Sequence, residues 1–170
     1  YKLMVNFHGC MKPAGEIRTW PHLMTREGVL GAEYLQNFSS FLPMGPDAAH
    51  NCTLPFTRNA MGPMDYTPVC YKTYLTGTTD AHQTALTVIF TSYILHIGEG
   101  AEVVLNHPAR PFLSKVPTSW DETHVLEGYP GSFVTMARKK VENWYVAAIC
   151  ARRPRYVKLR FDFLDEGTEY

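Results

Sequence analysis

A short apolar run, Lys2 to Phe7, leads directly into a loop dense in ionisable and aromatic side chains: His8, Lys12, Glu16, Arg18, Trp20, His22, Arg26, Glu27 and Glu33. Carboxyl groups held near an imidazole can pass protons to and from a substrate, and carboxylate oxygens also suit a calcium ion. If Lys2 to Phe7 is a strand of an α/β barrel, the residues just past its carboxyl end are the ones that face a ligand. The plainer reading is a solvated connection, since loops usually run over the surface. Glu27 and Glu33 are six residues apart. On one straight helix they would point about 240° apart, so they converge only if the segment bends or a helix begins between them. Gly28 and Gly31 permit such a bend.

Several separated stretches share wording with one enzyme family. Phe7-His8-Gly9, Arg18-Thr19-Trp20-Pro21 and Glu27 to Tyr34 come first, followed by Leu54-Pro55-Phe56-Thr57-Arg58 and Gly62 to Pro68. Trp120-Asp121-Glu122-Thr123, Pro130-Gly131 and Ala137-Arg138 complete the series. In this order they resemble the catalytic core of glycoside hydrolase family 97, and the resemblance spans nearly the whole chain. It implies that Glu33 is the catalytic acid or acid/base, that Glu27 and Glu33 bind an active-site Ca2+, and that His8, Arg18 and Asp65 contact an oligosaccharide substrate. Arg18 is expected to clamp Glu27 or another carboxylate in two-pronged fashion, and Trp20 to stack on a sugar or pack.

Position 9 is the informative departure. The family's inverting branch carries a glutamate directly after the strand-end histidine, as general base and calcium ligand, whereas this chain has Gly9. The resemblance therefore points to the retaining branch, of α-galactosidase type, whose aspartate nucleophile comes from an earlier barrel strand, upstream of Tyr1. A non-catalytic carbohydrate-binding or structural module, and an inverting α-glucosidase, are the competing readings. The resemblance also implies a periplasmic or secreted bacterial parent protein.

Bulk properties bound these readings. The 170 residues, 45% of them hydrophobic, are enough to bury a core. A whole eight-stranded barrel needs about 250 residues, so the expected architecture is α/β: a partial (β/α)8 TIM barrel of later strands over residues 1–116, then the first strands of an antiparallel β-sandwich over 117–170. The chain reads as an internal piece that works with the rest of its parent chain, the N-terminal domain and earlier barrel strands. Sixteen basic and sixteen acidic residues cancel, and Arg152-Arg153-Pro154-Arg155 is the one basic run, so no nucleic-acid partner is indicated. No apolar stretch is long enough for a membrane span. Cys10, Cys52, Cys70 and Cys150 lack metal or redox spacing and read as free thiols.

Element signals follow. Thr25 to Gln36 is expected as a short helix capped by Thr25, Asn37 to Asp47 as a loop, and Ala48 to Leu54 as one helical turn stopped by Pro55. Thr79 to Ser92 shows helical spacing of Ala85, Leu86, Ile89 and Phe90. Tyr93 to Ile97 reads as a strand, and His107 to Ser114 as a turn with a short helix. Thr123 to Glu127, Ser132 to Arg138, Asn143 to Ala151 and Tyr156 to Phe163 read as strands.

Overall fold

A computed structural model describes residues 2–35, 45–72 and 77–170. Its first half is a parallel arc. Strand β1 (Val5–Phe7) pairs in parallel with β2 (Leu23–Arg26), placing Val5 opposite Leu23 and Phe7 opposite Arg26. Met64 bridges in parallel to Arg26, and its amide donates to the carbonyl of Thr91 at 2.8 Å. Four neighbouring segments thus follow one another in chain order, as in a partial (β/α)8 barrel. All four point their carboxyl ends to one rim.

Helices α1 (Ala48–Thr53), α2 (Asp80–Ile89), α3 (Ala101–Leu105) and α4 (Arg110–Leu113) fill the connections. Two have side-chain caps: Asp47 accepts from the His50 amide at 2.7 Å, and Thr79 from the His82 amide at 3.1 Å. Helix α1 stops at Thr53, and Pro55, which has no amide to donate, lies within the 3-10 turn Leu54–Phe56 that follows.

The second half is an antiparallel sheet of β3 (Glu122–Tyr129), β4 (Phe133–Lys140) and β5 (Asn143–Cys150), in that order. These match the three strands expected from the turn signals. The sheet lies on α2, and Leu86, Val88 and Ile89 share one core cluster with Val134, Met136, Ala147 and Ile149. Each of these side chains other than Ala147 contributes about 1.5–3 kcal/mol when fully buried. All four cysteines are free thiols, Cys52 and Cys70 buried.

Three expectations fail. Thr25 lies inside β2 rather than capping a helix, and among the described residues of that stretch the only helical turn is the 3-10 turn Ala32–Leu35. Pairing with β1 overrides local helix preference, and Gly28 at φ 47° ends the strand in a conformation no helix continues. Tyr93 to Ile97 forms no regular strand. Its neighbour carries Thr67 and Val69 at φ 61° and 67°, which breaks the ladder to isolated bonds such as Gly98 N–H to the Pro68 carbonyl. Tyr156 to Phe163 also forms no strand: it lies at the surface, Phe163 resting on Trp144, and alternation alone makes a strand only beside a partner. Most of the loop from Asn37 to Asp47, and the last residue of the Thr25 to Gln36 segment, lie outside the described residues.

Two buried polar groups fix the inside of the arc. The Arg58 guanidinium donates to the carbonyls of Gly28 (3.0 Å), Arg26 and Glu27 (both 2.9 Å), and Gly62 and Pro63 (both 3.1 Å). Burial pulls its pKa below the usual arginine range. Further in, Tyr66 donates to Asn51 Oδ1 at 2.5 Å, and Asn51 Nδ2 lies 3.0 Å from His82 Nε2. Because the amide nitrogen can only donate, His82 accepts there and is neutral, with its proton on Nδ1.

Arg58→Lys supplies a point charge that cannot reach five carbonyls. It should therefore lower unfolding stability by about 2–4 kcal/mol, and denaturant melts that superimpose on wild type would contradict this account. Burial holds the His82 pKa down to about 4, against an ordinary value of about 6.5 in the unfolded chain. The unfolded state therefore takes up a proton first, and stability present above about pH 6.5 is lost as pH falls towards 4, by about 2 kcal/mol near pH 5. Denaturant titrations near pH 7 and pH 5 should show this loss, and His82→Gln should remove most of it.

Candidate active site

Each strand segment of the arc ends in a polar residue on the same rim. His8 follows β1, Glu27 follows β2, Asp65 follows the bridging Met64, and His96 lies five residues beyond Thr91. The ladder sets their positions, because the parallel register that aligns Phe7 with Arg26 also aligns the residues that come next.

Glu27 and Glu33 do converge, and the bend is made by glycine. Gly28 adopts φ 47°, and a Cβ there would lie 2.8 Å from the backbone of Met11 and Lys12. A Cβ on Gly31 would lie 2.9 Å from the Tyr66 carbonyl, which accepts the Ala32 amide at 2.8 Å. The chain thus folds tightly against Tyr66 before the 3-10 turn brings Glu33 back. His8 Nδ1 lies 3.9 Å from a carboxylate oxygen of each glutamate. One ligand atom from each of the three residues falls within 4.8 Å of the others.

The two carboxyls differ in environment. Glu27 is buried at 5% exposure, and its Oε2 accepts the Gly9 amide at 2.7 Å. Glu33 is more open, and its pKa is raised: first by a hydrogen bond with Glu27, then by burial, then by the negative charge of Glu27, with His8 opposing. Burial works against charge on His8, yet its pKa is raised overall by the hydrogen bond to Asp65 and by the charges of Asp65, Glu27 and Glu33. A proton is therefore favoured on Glu33, the arrangement that suits a carboxylic acid about to donate.

Asp65 is more enclosed than a residue that reaches out to a ligand. It is 2% exposed, and its Oδ2 accepts from Asn6 Nδ2 (2.6 Å), His8 Nε2 (2.6 Å) and His96 Nδ1 (2.8 Å). Arg18 stands on the exposed 3-10 turn Glu16–Arg18, and among the described residues no hydrogen bond or ion pair joins it to Glu27. The clamp expected of Arg18 is made instead on the backbone around Glu27, by Arg58. Trp20 is exposed, edge-on to His22. Sequence reasoning missed His96, Asn6 and Arg58; the one signal for His96 was its place near the end of the apolar run Tyr93 to Ile97.

Glu27 and Glu33 fit a hard divalent cation. The neighbouring Glu27 raises the cost of ionising Glu33, which a cation between them would relieve, and oxygen donors are what calcium takes. The imidazole of His8 is a less usual calcium donor.

Comparison with known proteins bears on the family. Residues 1–29 match a family described as glycoside hydrolase 97, and residues 119–170 match one described as glycosyl-hydrolase 97 C-terminal, oligomerisation. A probable retaining α-galactosidase of Streptomyces bingchenggensis is 38% identical over 154 residues, 89% of this chain and 23% of the relative. A retaining α-galactosidase of Bacteroides thetaiotaomicron is 33% identical over 181 residues, 99% and 27% of the two chains. The chain thus spans about a quarter of the length of these curated relatives. Among solved structures, a family 97 glycoside hydrolase from Pseudoalteromonas sp. in complex with panose superposes with TM-score 0.85 at 30% identity, over 98% of this chain and 27% of that one. A β-arabinopyranosidase superposes with TM-score 0.77 at 33% identity, over 87% and 25%. With matches to the family's two regions in chain order, relatives that share its wording, and the same fold in a solved member, the chain belongs to glycoside hydrolase family 97.

Proposed function

We propose that this chain supplies the acid/base and part of the sugar-binding rim of an exo-acting, retaining α-glycosidase, an α-galactosidase. The observation that carries the reading is the Glu33 carboxyl, its pKa raised, held against Glu27 and His8 at a barrel rim. In the first step an aspartate of an earlier barrel strand attacks the anomeric carbon while the glycosidic C–O bond breaks. Glu33 gives its proton to the departing oxygen. In the second step the Glu33 carboxylate takes a proton from water, the water oxygen bonds to the anomeric carbon, and the aspartate leaves. Gly9, with no carboxylate to activate water on the opposite face, supports retention over inversion.

Glu27 and Glu33 would hold Ca2+, which would fix Glu33 beside the sugar and offset the carboxylates' mutual repulsion. His8 contacts a sugar hydroxyl, and Arg18 lies further out along the same substrate. The parent is a periplasmic or secreted bacterial protein, with residues 1–116 in the catalytic barrel and 117–170 in the C-terminal β-domain. The likeness to a β-arabinopyranosidase supports a pyranoside substrate of similar ring shape as a second reading. L-arabinopyranose is galactose without its exocyclic hydroxymethyl group, so both activities would read the same ring hydroxyls.

In the full-length enzyme, Glu33→Gln should slow a natural α-galactoside by at least about 100-fold and an activated aryl galactoside by far less. Equal losses on both, or the same result on aryl arabinopyranosides alone, would refute the α-galactosidase assignment. Calcium at a hundredfold its dissociation constant should stabilise the protein by about 2.7 kcal/mol. That gain, read as a rise in melting temperature, should vanish in Glu27→Gln, and a gain that survives would place the ion elsewhere.

A further inference from the structure

His96 has no place in the chemistry described so far, yet it is tied to the same oxygen as His8. Asp65 Oδ2 lies 2.6 Å from His8 Nε2 and 2.8 Å from His96 Nδ1, and the carboxylate that holds both is almost wholly buried. A carboxylate can only accept, so each imidazole must donate at that nitrogen. With both rings neutral, the shared acceptor therefore fixes their tautomers. His8 carries its proton on Nε2 and leaves the Nδ1 lone pair towards Glu27 and Glu33. His96 carries its proton on Nδ1 and leaves Nε2 as an acceptor. Among the described residues nothing bonds His96 Nε2, and the side chain is 51% exposed at the rim. Asn6 Nδ2 donates to the same oxygen at 2.6 Å and lies 3.5 Å from His96 Nδ1, closing the cluster on its strand side.

We infer that His96 is a further sugar-contacting residue, its Nε2 accepting a substrate hydroxyl, and that Asp65 is the positioning residue that aims His8 and His96 together. The inference rests on the glycosidase reading for its ligand, while the tautomers follow from the hydrogen bonds alone. A single carboxylate holding two imidazoles, one from the first strand end of the arc and one from the fourth, gives a rigid pair of rings. Such a pair suits neighbouring hydroxyls of one sugar ring, because the rings cannot turn without breaking a charge-assisted bond.

Two measurements on the full-length protein test this. In the protein labelled with 15N-histidine, at about pH 8 and so above the ordinary histidine range, the His96 signals, assigned with His96→Ala, should show the proton on Nδ1. A proton on Nε2 would overturn the positioning role whether or not any glycoside is cleaved. His96→Ala should lower kcat/KM about fivefold to tenfold, mainly through KM, as expected for one neutral hydrogen bond. Across a set of monodeoxy α-galactosides that penalty should disappear for the substrate lacking the hydroxyl read by His96; an equal penalty on every member would exclude contact. Asp65→Asn and His96→Ala combined should lose less than the product of the single losses, because one acts through the other. Strictly multiplicative losses would refute the coupling. A wild-type enzyme inactive on every α-galactoside would sink the glycosidase reading and leave the tautomer result standing on its own.

Discussion

The rim depends on a buried positive charge that, among the described residues, pairs with no carboxylate. Arg58 spends its donors on five backbone carbonyls, three from the turn that follows β2 and two from the Gly62-Pro63 turn before Asp65. Carbonyl dipoles are weaker partners than an anion, but five of them in one fork hold two separate loops to a single planar group. The residues that leave those loops are Glu27 and Asp65, the two most buried acids of the site. Their backbone is set before their side chains meet anything else.

On that frame the side chains divide the work by burial. Glu27 and Asp65 lie inside and accept hydrogen bonds, from the Gly9 amide and from the Asn6, His8 and His96 side chains. Glu33 and the two histidines stand further out, where a substrate can meet them. The inner anions act on the outer groups across short distances: Glu27 raises the pKa of Glu33, and Asp65 raises that of His8 against the cost of burial. Water screens such effects poorly in a partly enclosed cluster. The residues that position Glu33 and His8 therefore also bias their protonation.

Local chemistry was legible in the sequence where its cause was local. Thr79, Asp47 and Pro55 mark helix ends that the structure keeps, and the turns at Pro130-Gly131 and near Glu142 delimit β3, β4 and β5. The meeting of Glu27 with Glu33 could be read only as a condition, that the chain bend at Gly28 and Gly31, and tight packing against Met11 and Tyr66 meets that condition. The strand over Leu23–Arg26 was hidden because its partner lies elsewhere in the chain, and the helix expected from Thr25 lost to that pairing. His96, Asn6 and Arg58 stayed invisible for a similar reason: each gains its role from a residue about 30 or more positions away. Spacing in a sequence cannot report such meetings.

The antiparallel sheet is not a separate ornament behind the barrel arc. It shares its core with α2, and Arg138 of β4 reaches across to donate to Thr91 Oγ1 at 2.9 Å. Thr91 opens the segment that carries His96 to the rim. A chimera that kept the arc and exchanged this sheet for an unrelated one would strip the outer face of α2 and slacken the stalk of one rim histidine. In terms of descent and of engineering, the two halves are one inheritable part, and recombination between them breaks it.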